Sequence, residues 1–115
     1  MLPKRLRLSG RGGFEAVFHS RKAIFSPEIG LFFRPSQSPE TRVGFAFKQK
    51  TFPRSVTRHF LKRKGSAIMS ELVPLLPKHM DIVILFHKRF AQPVTYAWLK
   101  EELKNLLERL NKEKK

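Results

Sequence analysis

A group of arginine and lysine residues near the middle of the chain has the spacing of one face of an α-helix. Arg54, Arg58 and Lys62 follow one another at i, i+4 and i+8, which aligns their side chains along one line of a helix. Like charges in such a line repel one another unless a polyanion lies against them. The pattern therefore predicts a helix that binds phosphate groups.

The surrounding sequence supports this prediction because it supplies no compensating negative charge. Residues 41–70 contain eight Lys or Arg and no Asp or Glu, whereas a solvated helix face usually interleaves both signs. His59 and Arg63 fall on the same cationic half of the helix, so both are candidate phosphate contacts. A lone histidine in such a face is more typical of a hydrogen-bonding surface residue than of a general acid or base.

The other half of the same helix is apolar and should pack on a protein core. Pro53 precedes the expected start of the helix, and Ser55 is the candidate capping residue. Gly65 has low helix propensity and predicts a bend. The residues expected to lie on the apolar half are Val56, Phe60, Leu61, Ile68 and Leu72.

The overall composition favours a nucleic-acid-binding protein. The 115 residues include 24 Lys or Arg against 9 Asp or Glu, so the net charge is +15, and the sequence pI is about 11.1. Such a field attracts nucleic acid or an anionic membrane surface. The lack of cysteine excludes disulfides and thiolate metal sites, and it fits a reducing cytosol.

No part of the sequence predicts export or insertion into a membrane. The basic amino terminus meets glycine and arginine where a signal peptide would continue with apolar residues. The longest run of aliphatic and aromatic residues, 82–86, is far too short to cross a bilayer. We therefore expect a soluble cytoplasmic protein that forms one domain over residues 1–115.

Two further helices are predicted around the basic one. Phe14, Val17 and Phe18 recur at i, i+3 and i+4, which predicts a short amphipathic helix beginning near Arg11, with Ser9 as its candidate cap. Two aromatic residues on one helix face belong by default to a core. The second helix begins near position 95 and has leucines at 99, 103, 106, 107 and 110, which indicates an amphipathic core helix.

The strand pattern predicts a mixed α+β fold. Residues 28–34 have the apolar content of a strand, and residues 42–48 alternate like one. The two segments flank a Pro- and Ser-rich loop, so we interpret them as an antiparallel hairpin. Gly44 and Ala46 leave one face of the second strand open to close approach. Residues 81–87 are apolar without alternation, as in a strand covered on both faces. Because the basic helix connects this strand to the preceding one, we expect the two strands to be parallel.

The sequence lacks the residues expected of a self-sufficient nuclease. Magnesium-dependent nucleases gather carboxylates around their metal ions, whereas Asp81 is the only aspartate and begins a strand that should be buried. The four histidines have no HExxH or other metal-ligand spacing, and no glycine-rich phosphate loop is present. We therefore assign no catalytic residue to this chain.

Taken in order, these motifs resemble the protein subunit of bacterial ribonuclease P. Met1-Leu-Pro-Lys and Phe14-Glu-Ala-Val-Phe are similar to the amino-terminal segment and first helix of that family. Arg42-Val-Gly-Phe-Ala-Phe-Lys-Gln-Lys is similar to its central strand and lysine pair. Arg58-His-Phe-Leu-Lys-Arg occupies the place of its basic signature, and Asp81-Ile-Val-Ile matches the next strand.

The resemblance implies a fold and a function. It implies a single-domain αβββαβα sandwich with a left-handed crossover around the basic helix. In the family, the RNA subunit is the catalyst that removes the 5′ leader from precursor tRNA with Mg²⁺, and the protein is a cofactor. The Mg²⁺ is expected mainly on the RNA subunit or at the RNA–protein interface, and the resemblance assigns no metal ligand in this chain. The implied partners are the RNA subunit and precursor tRNA, with no membrane and no protein partner.

The resemblance also assigns binding roles to particular residues. A cleft for the single-stranded leader is expected between the first helix and the sheet, whereas Phe33 should face the opposite side of its strand and join the core. The expected cleft residues are Phe14, Phe18 and Phe32. The expected contacts with the RNA subunit are Lys48, Lys50, Arg54, Arg58, His59, Lys62 and Arg63.

The sequence departs from the family signature at several positions. His59 stands where the family has asparagine, Phe60 where it has its second arginine, and Ser66 where a further arginine follows. The segment between Lys50 and Arg58 is one residue longer than the usual spacing in the family. The main alternative is a ribosomal or other structural RNA-binding protein with no role in cleavage. A protein that binds anionic lipid through the basic helix and an autonomous ribonuclease are weaker alternatives.

Overall fold

The computed structural model of the chain describes residues 2–8, 10–36, 39–90 and 94–113. These residues form three α-helices and four β-strands in the order αβββαβα, which confirms the expected α+β class. The elements are α1 (Arg11–His19), β1 (Ala23–Phe25), β2 (Ile29–Pro35), β3 (Arg42–Phe47), α2 (Ser55–Glu71), β4 (Met80–Phe86) and α3 (Tyr96–Glu113). Among the described residues, no helix combines the length and apolar character needed to cross a lipid bilayer.

The strands form one sheet in the spatial order β1-β2-β4-β3. β4 pairs antiparallel with β2 and parallel with β3, so the predicted hairpin of β2 with β3 is wrong and the predicted parallel crossover is confirmed. The physical reason is that β4 is apolar on both faces, and such a strand is best buried at the centre of a sheet with a neighbour on each edge. The left-handed sense of the crossover stays a prediction.

One face of the sheet carries the main core, which α2 and α3 cover. Residues that alternate along each strand point to this face, and Phe33 on β2 is among them, as expected. All five leucines predicted for α3 are buried. The buried strand residues of this core are Ile24, Ile29, Leu31, Phe33, Val43, Phe45, Met80, Ile82, Ile84 and Phe86.

The helix ends match the sequence only in part. The hydroxyl of Thr95 accepts a hydrogen bond from the Trp98 amide at 3.1 Å, so α3 begins where the leucine pattern predicts. The capping role predicted for Ser55 is wrong, because Ser55 is already the first residue of α2 and Arg54 precedes it without a side-chain cap. The proposed cap at Ser9 lies outside the described residues.

Gly65 permits close packing of α2 on the sheet. The helix continues without interruption to Glu71, so Gly65 does not end it, and the bend at this residue stays a prediction. An added Cβ at this position would lie 2.6 Å from Cε1 and 3.0 Å from Cζ of Phe45. The lost helix propensity of about 1 kcal/mol is therefore offset by the close approach of an aromatic ring, which a larger residue would prevent.

The opposite face of the sheet is covered by α1 and the amino-terminal segment. Val17 of α1 is fully buried there, together with Leu8 and Val83. The amide of Leu8 donates to the carbonyl of Val43 at 2.9 Å, which ties this segment to the edge of β3. At Gly44, an added Cβ would lie 2.5 Å from Cζ of Phe14. The close approach predicted at Gly44 is therefore confirmed, and the approaching group is an aromatic ring.

The single aspartate is neutralised within the sheet. Asp81 is 5% exposed, and it lies opposite Arg42 in the β3–β4 register. Nε and Nη2 of Arg42 donate to Oδ1 and Oδ2 of Asp81, each at 3.0 Å. These hydrogen bonds raise the pKa of Arg42 above its ordinary value. The carboxylate is therefore occupied by a bidentate partner.

Candidate nucleic-acid interface

The predicted cationic row lies on the solvent side of α2. Arg54, His59, Lys62 and Arg63 are exposed, and the first turn of the helix contains no acidic residue. A helix amino terminus carries partial positive charge, so cations placed there add to the field and increase the attraction for an anion. The row is therefore electrostatically suited to phosphate, as the sequence predicts.

Two further predicted cations lie on the connection between β3 and α2. Lys48 and Lys50 are both exposed. The carbonyl of Lys48 accepts hydrogen bonds from the amides of Thr51 and Phe52 at 3.0 and 2.9 Å, which forms a tight turn. The turn leaves the lysine side chains at the surface and directs Phe52 into the core. These lysines therefore extend the cationic surface beyond the helix.

Arg58 differs from its neighbours because its guanidinium holds the loop that precedes the helix. Its Nη1 donates to the carbonyls of Phe52 and Pro53 at 2.9 and 2.8 Å. Two carbonyls of an irregular segment are thereby satisfied by a charged donor, which is stronger than a neutral one. Arg58 therefore contributes to the shape of the interface as well as to its charge.

Two residues predicted to pack are at the surface instead. Val56 is 78% exposed and Phe60 is 52% exposed, so their assignment to the core is wrong. The buried line of α2 begins at Leu61, and at about 100° per residue Val56 and Phe60 lie roughly 140° and 100° away from it. The Nζ atom of Lys64 lies 4.4 Å from the centroid of the Phe60 ring. An aromatic ring with a cation above it therefore lies beside the cationic row of α2.

The predicted leader-binding aromatics meet between α1 and the sheet. Phe14, Phe18 and Phe32 are each half-buried and pack on the small core that contains Val17 and Val83. The rings of Phe18 and Phe32 are 4.9 Å apart and meet edge to face. The structure therefore brings the three aromatics together and leaves part of each ring accessible.

The strand register separates the sheet face under α1 into two rows. Ala23, Phe32, Val83 and Gly44 lie side by side across the four strands, and we call them the covered row because Phe14 and Phe18 of α1 rest on it. The next residues along each strand form the open row, Phe25, Gly30, Leu85 and Ala46. We call the surface along the open row, next to α1, the groove.

Phe25 is a candidate site residue that the sequence analysis missed. It is 50% exposed, at the β1 end of the open row. The signal was the apolar run Ala23-Ile24-Phe25 ahead of a Ser-Pro turn, but a strand of three residues is too short to show alternation. Its ring lies 5.6 Å from that of Phe32, so it continues the aromatic cluster.

The two candidate surfaces lie on opposite faces of the sheet and are separated by one strand. α2 covers the core face, whereas the groove beside α1 lies on the other. β3 is the edge strand between them, and its residues Phe45 and Phe47 line a depression with Arg58, His59 and Lys62. Ala46, on the same strand, belongs to the open row. A nucleic acid could therefore contact both surfaces around a single edge.

The described residues provide no evident metal centre. No three His, Asp or Glu side chains among them are grouped so that they could hold a metal ion. The carboxylate of Asp81 is already bound by Arg42. Within the same residues, Nε2 of His87 is buried without a hydrogen-bond partner, beside the ring of Phe25.

Comparison with known proteins gives the family. The sequence model of the Ribonuclease P family matches residues 2–111. The chain belongs to the ribonuclease P protein family. Membership of this family implies a role in the 5′ processing of tRNA, and it confirms the resemblance that the sequence motifs indicated.

Individual relatives agree with this assignment. The ribonuclease P protein component of Thermotoga maritima is 29% identical over 110 residues, which cover 93% of each chain. That of Chromohalobacter salexigens is 30% identical over 115 residues, covering 96% of this chain and 86% of the relative. The solved structure of the Thermotoga maritima RNase P protein superimposes with a TM-score of 0.80 over 90% of this chain and 96% of that chain.

The different contacts of Arg58 and Lys62 lead to a test of stability. Arg58→Ala should lower the free energy of unfolding by about 1–2 kcal/mol, because it removes a charged donor from two loop carbonyls. Lys62→Ala is the matched control, since Lys62 is exposed one helical turn away and should change stability by less than about 0.5 kcal/mol. Urea titration measures both. Equal stability of the two variants would contradict the structural role of Arg58.

Proposed function

We propose that this chain is the protein cofactor of ribonuclease P. It binds the catalytic RNA subunit through the cationic surface of α2, and it binds the 5′ leader of precursor tRNA in the groove beside α1. The RNA subunit carries out the endonucleolytic cleavage, so the protein contributes binding and no catalytic group. The same proposal gives the chain a cytoplasmic location with these two RNA partners.

One observation carries this proposal: a cationic helix without an acidic residue before Glu71 and a half-exposed aromatic groove flank the same edge strand. A duplex or folded RNA is recognised mainly through its phosphates and shape, which suits the first surface. A single strand needs aromatic faces on which unpaired bases can stack, which suits the second. The combination favours a protein that contacts a structured RNA and a single-stranded extension, over a ribosomal protein that binds folded RNA alone.

The aromatic groove also explains how one protein could accept many different leaders. Stacking on an aromatic face contributes roughly 1–3 kcal/mol per base and depends little on base identity. Phe14, Phe18 and Phe32 offer such faces, and they pack on an apolar cluster that includes Val17 and Val83. The groove can therefore hold a leader without reading a fixed sequence.

In this proposal, Mg²⁺ is bound mainly by the RNA. Mg²⁺ prefers oxygen ligands such as carboxylates and phosphates, and the described residues supply no carboxylate cluster. RNA phosphates are the remaining source of such ligands, either within the RNA subunit or where the protein meets it. No step of the proposal runs through a metal held by the protein alone.

Reconstitution with ribonuclease P RNA tests the function directly. The purified chain alone should not cleave precursor tRNA, whereas adding it to the RNA subunit should lower the Mg²⁺ concentration required for cleavage. The physical reason is that protein cations neutralise phosphates that would otherwise need counterions. Cleavage is measured across a magnesium titration with and without protein. Robust turnover by protein freed of RNA and contaminating nucleases would overturn the proposal.

The salt dependence of binding tests the cationic surface. Lys62→Ala and Arg63→Ala should each weaken binding to the RNA subunit and reduce the magnitude of the log K against log[salt] slope by about 0.7–1. Lys104→Ala is a control, because Lys104 lies on α3, outside the proposed interface. If the slopes of both α2 variants matched that of the wild type, this helix would be an ordinary solvated face.

Substitutions of phenylalanines on the α1 side and on the core side of β2 distinguish leader binding from core packing. Phe32→Leu and Phe18→Leu should reduce affinity for precursor tRNA by about 1 kcal/mol or more, because each removes a stacking face. Affinity for mature tRNA should hardly change. Phe33→Leu is the matched control at the adjacent position, since Phe33 faces the core. This substitution should cost up to about 1.5 kcal/mol of stability and should leave the ratio of precursor to mature tRNA affinity unchanged.

The measurement is the ratio of precursor to mature tRNA affinity in the assembled enzyme, together with a melting curve of the free protein. Phe14→Leu belongs in the same series, since Phe14 closes the groove at Gly44. A constant ratio accompanied by a lower melting temperature in all the variants would assign these aromatics to the core.

A further inference from the structure

Phe25 occupies the end of the groove and is held there by three neighbours. Its ring lies above Gly30, where an added Cβ would be 2.8 Å from Cε1 and 3.0 Å from Cδ1. The rings of Phe32 and His87 approach it at centroid distances of 5.6 and 5.7 Å, with interplanar angles of 86° and 80°. Phe25 is thus fixed by close contacts even though half of its surface is exposed.

The register places Phe25 between its two aromatic neighbours. Phe32 belongs to the covered row, on the α1 side of the open row. His87 lies on the other side, because its amide donates to the carbonyl of Glu28 one step beyond the Gly30–Leu85 pair. Both neighbouring rings are nearly perpendicular to Phe25. The aromatic surface of the groove therefore continues across β2 to the outer strand β1.

Positive charge lies immediately beyond Phe25. Nη1 of Arg109 donates to the carbonyl of Phe25 at 2.9 Å, and Lys112 lines the same depression at the β1 edge. Arg109 and Lys112 are both exposed. A guanidinium has five N–H donors, so the bond to Phe25 leaves others that can contact a phosphate. An aromatic face with cations beside it is the arrangement used to hold single-stranded nucleic acid.

We propose that Phe25 is a further leader-binding residue, which extends the groove by one stacked base beyond Phe14, Phe18 and Phe32. The inference rests on the proposed function, since it assigns a new contact within the same groove. A leader that enters the open row at β3, the strand next to the cationic helix, reaches Phe25 last, at the edge of the sheet, where Arg109 and Lys112 lie.

The proposal predicts a dependence on leader length. Affinity of the assembled enzyme is measured for precursor tRNAs whose leaders increase by one nucleotide at a time. With the wild-type protein, affinity should rise with length and then level off. With Phe25→Leu, it should level off one nucleotide earlier, and longer leaders should bind at least about fivefold more weakly. Leaders too short to reach β1 should bind equally to both proteins.

Two further variants make the result specific. Phe25→Tyr keeps an aromatic face and should retain the wild-type profile. Tyr96→Leu removes another exposed aromatic, located at the start of α3, and should also leave the profile unchanged. Melting curves of the free proteins check that each variant is folded.

The possible outcomes distinguish this inference from the proposed function. If wild-type affinity depends on leader length and Phe25→Leu follows the same curve, the role of Phe25 is refuted and the groove remains. If Phe25→Leu weakens binding equally at every length, Phe25 merely supports Phe32, and the inference is again refuted. If wild-type affinity does not depend on the leader at all, the proposed function of the groove fails first.

Discussion

The burial of β4 on both faces is the constraint on which the rest of the structure depends. Six of its seven residues are large and apolar on one face or the other, and it is paired along both edges. The strand therefore needs helices on both sides: α2 and α3 on one, α1 on the other. This sandwich places the cationic helix and the aromatic groove on opposite faces of a thin sheet, so that one edge strand lies between them.

Small residues determine how closely the aromatic rings approach the backbone. Gly30, Gly44 and Gly65 each face a phenylalanine ring, and a Cβ at any of them would lie within 2.8 Å of a ring carbon. Gly30 lies in the open row and lets Phe25 rest on the sheet, and Gly44 lies in the covered row and does the same for Phe14. The third lies on α2 and lets Phe45 pack beneath the helix. Packing of a phenylalanine ring on a glycine therefore shapes both candidate surfaces.

The distribution of charge follows a different rule. The buried carboxylate of Asp81 is matched by Arg42 within the sheet, because an unpaired charge there would be costly. The cations of α2 and of the preceding loop have no acidic residue in the surrounding sequence from 41 to 70. Their mutual repulsion is reduced when a polyanion binds, so the charge of this surface favours a polyanionic partner. Arg58 is the exception, since it also holds the loop that positions the helix.

The sequence by itself determined the three helices, three of the four strands, the cationic row and the family. Periodicity located α1, α2 and α3. The order of the short motifs indicated the ribonuclease P family without any knowledge of which strands pair. These features depend on neighbours along the chain, which a sequence displays directly. The alternation around Gly44 even predicted that something would approach the sheet closely.

Only the tertiary structure decided which strands pair and which aromatics remain exposed. The hairpin expected between β2 and β3 was wrong because β4, far along the chain, enters between them. Val56 and Phe60 were expected in the core, but α2 touches the sheet along an arc too narrow to include them. The sequence did not predict Phe25 as a site residue, because its position is fixed by contacts with Gly30, Phe32 and His87, which lie elsewhere in the chain. Pairing and exposure depend on which distant surfaces meet, and local periodicity carries no information about that.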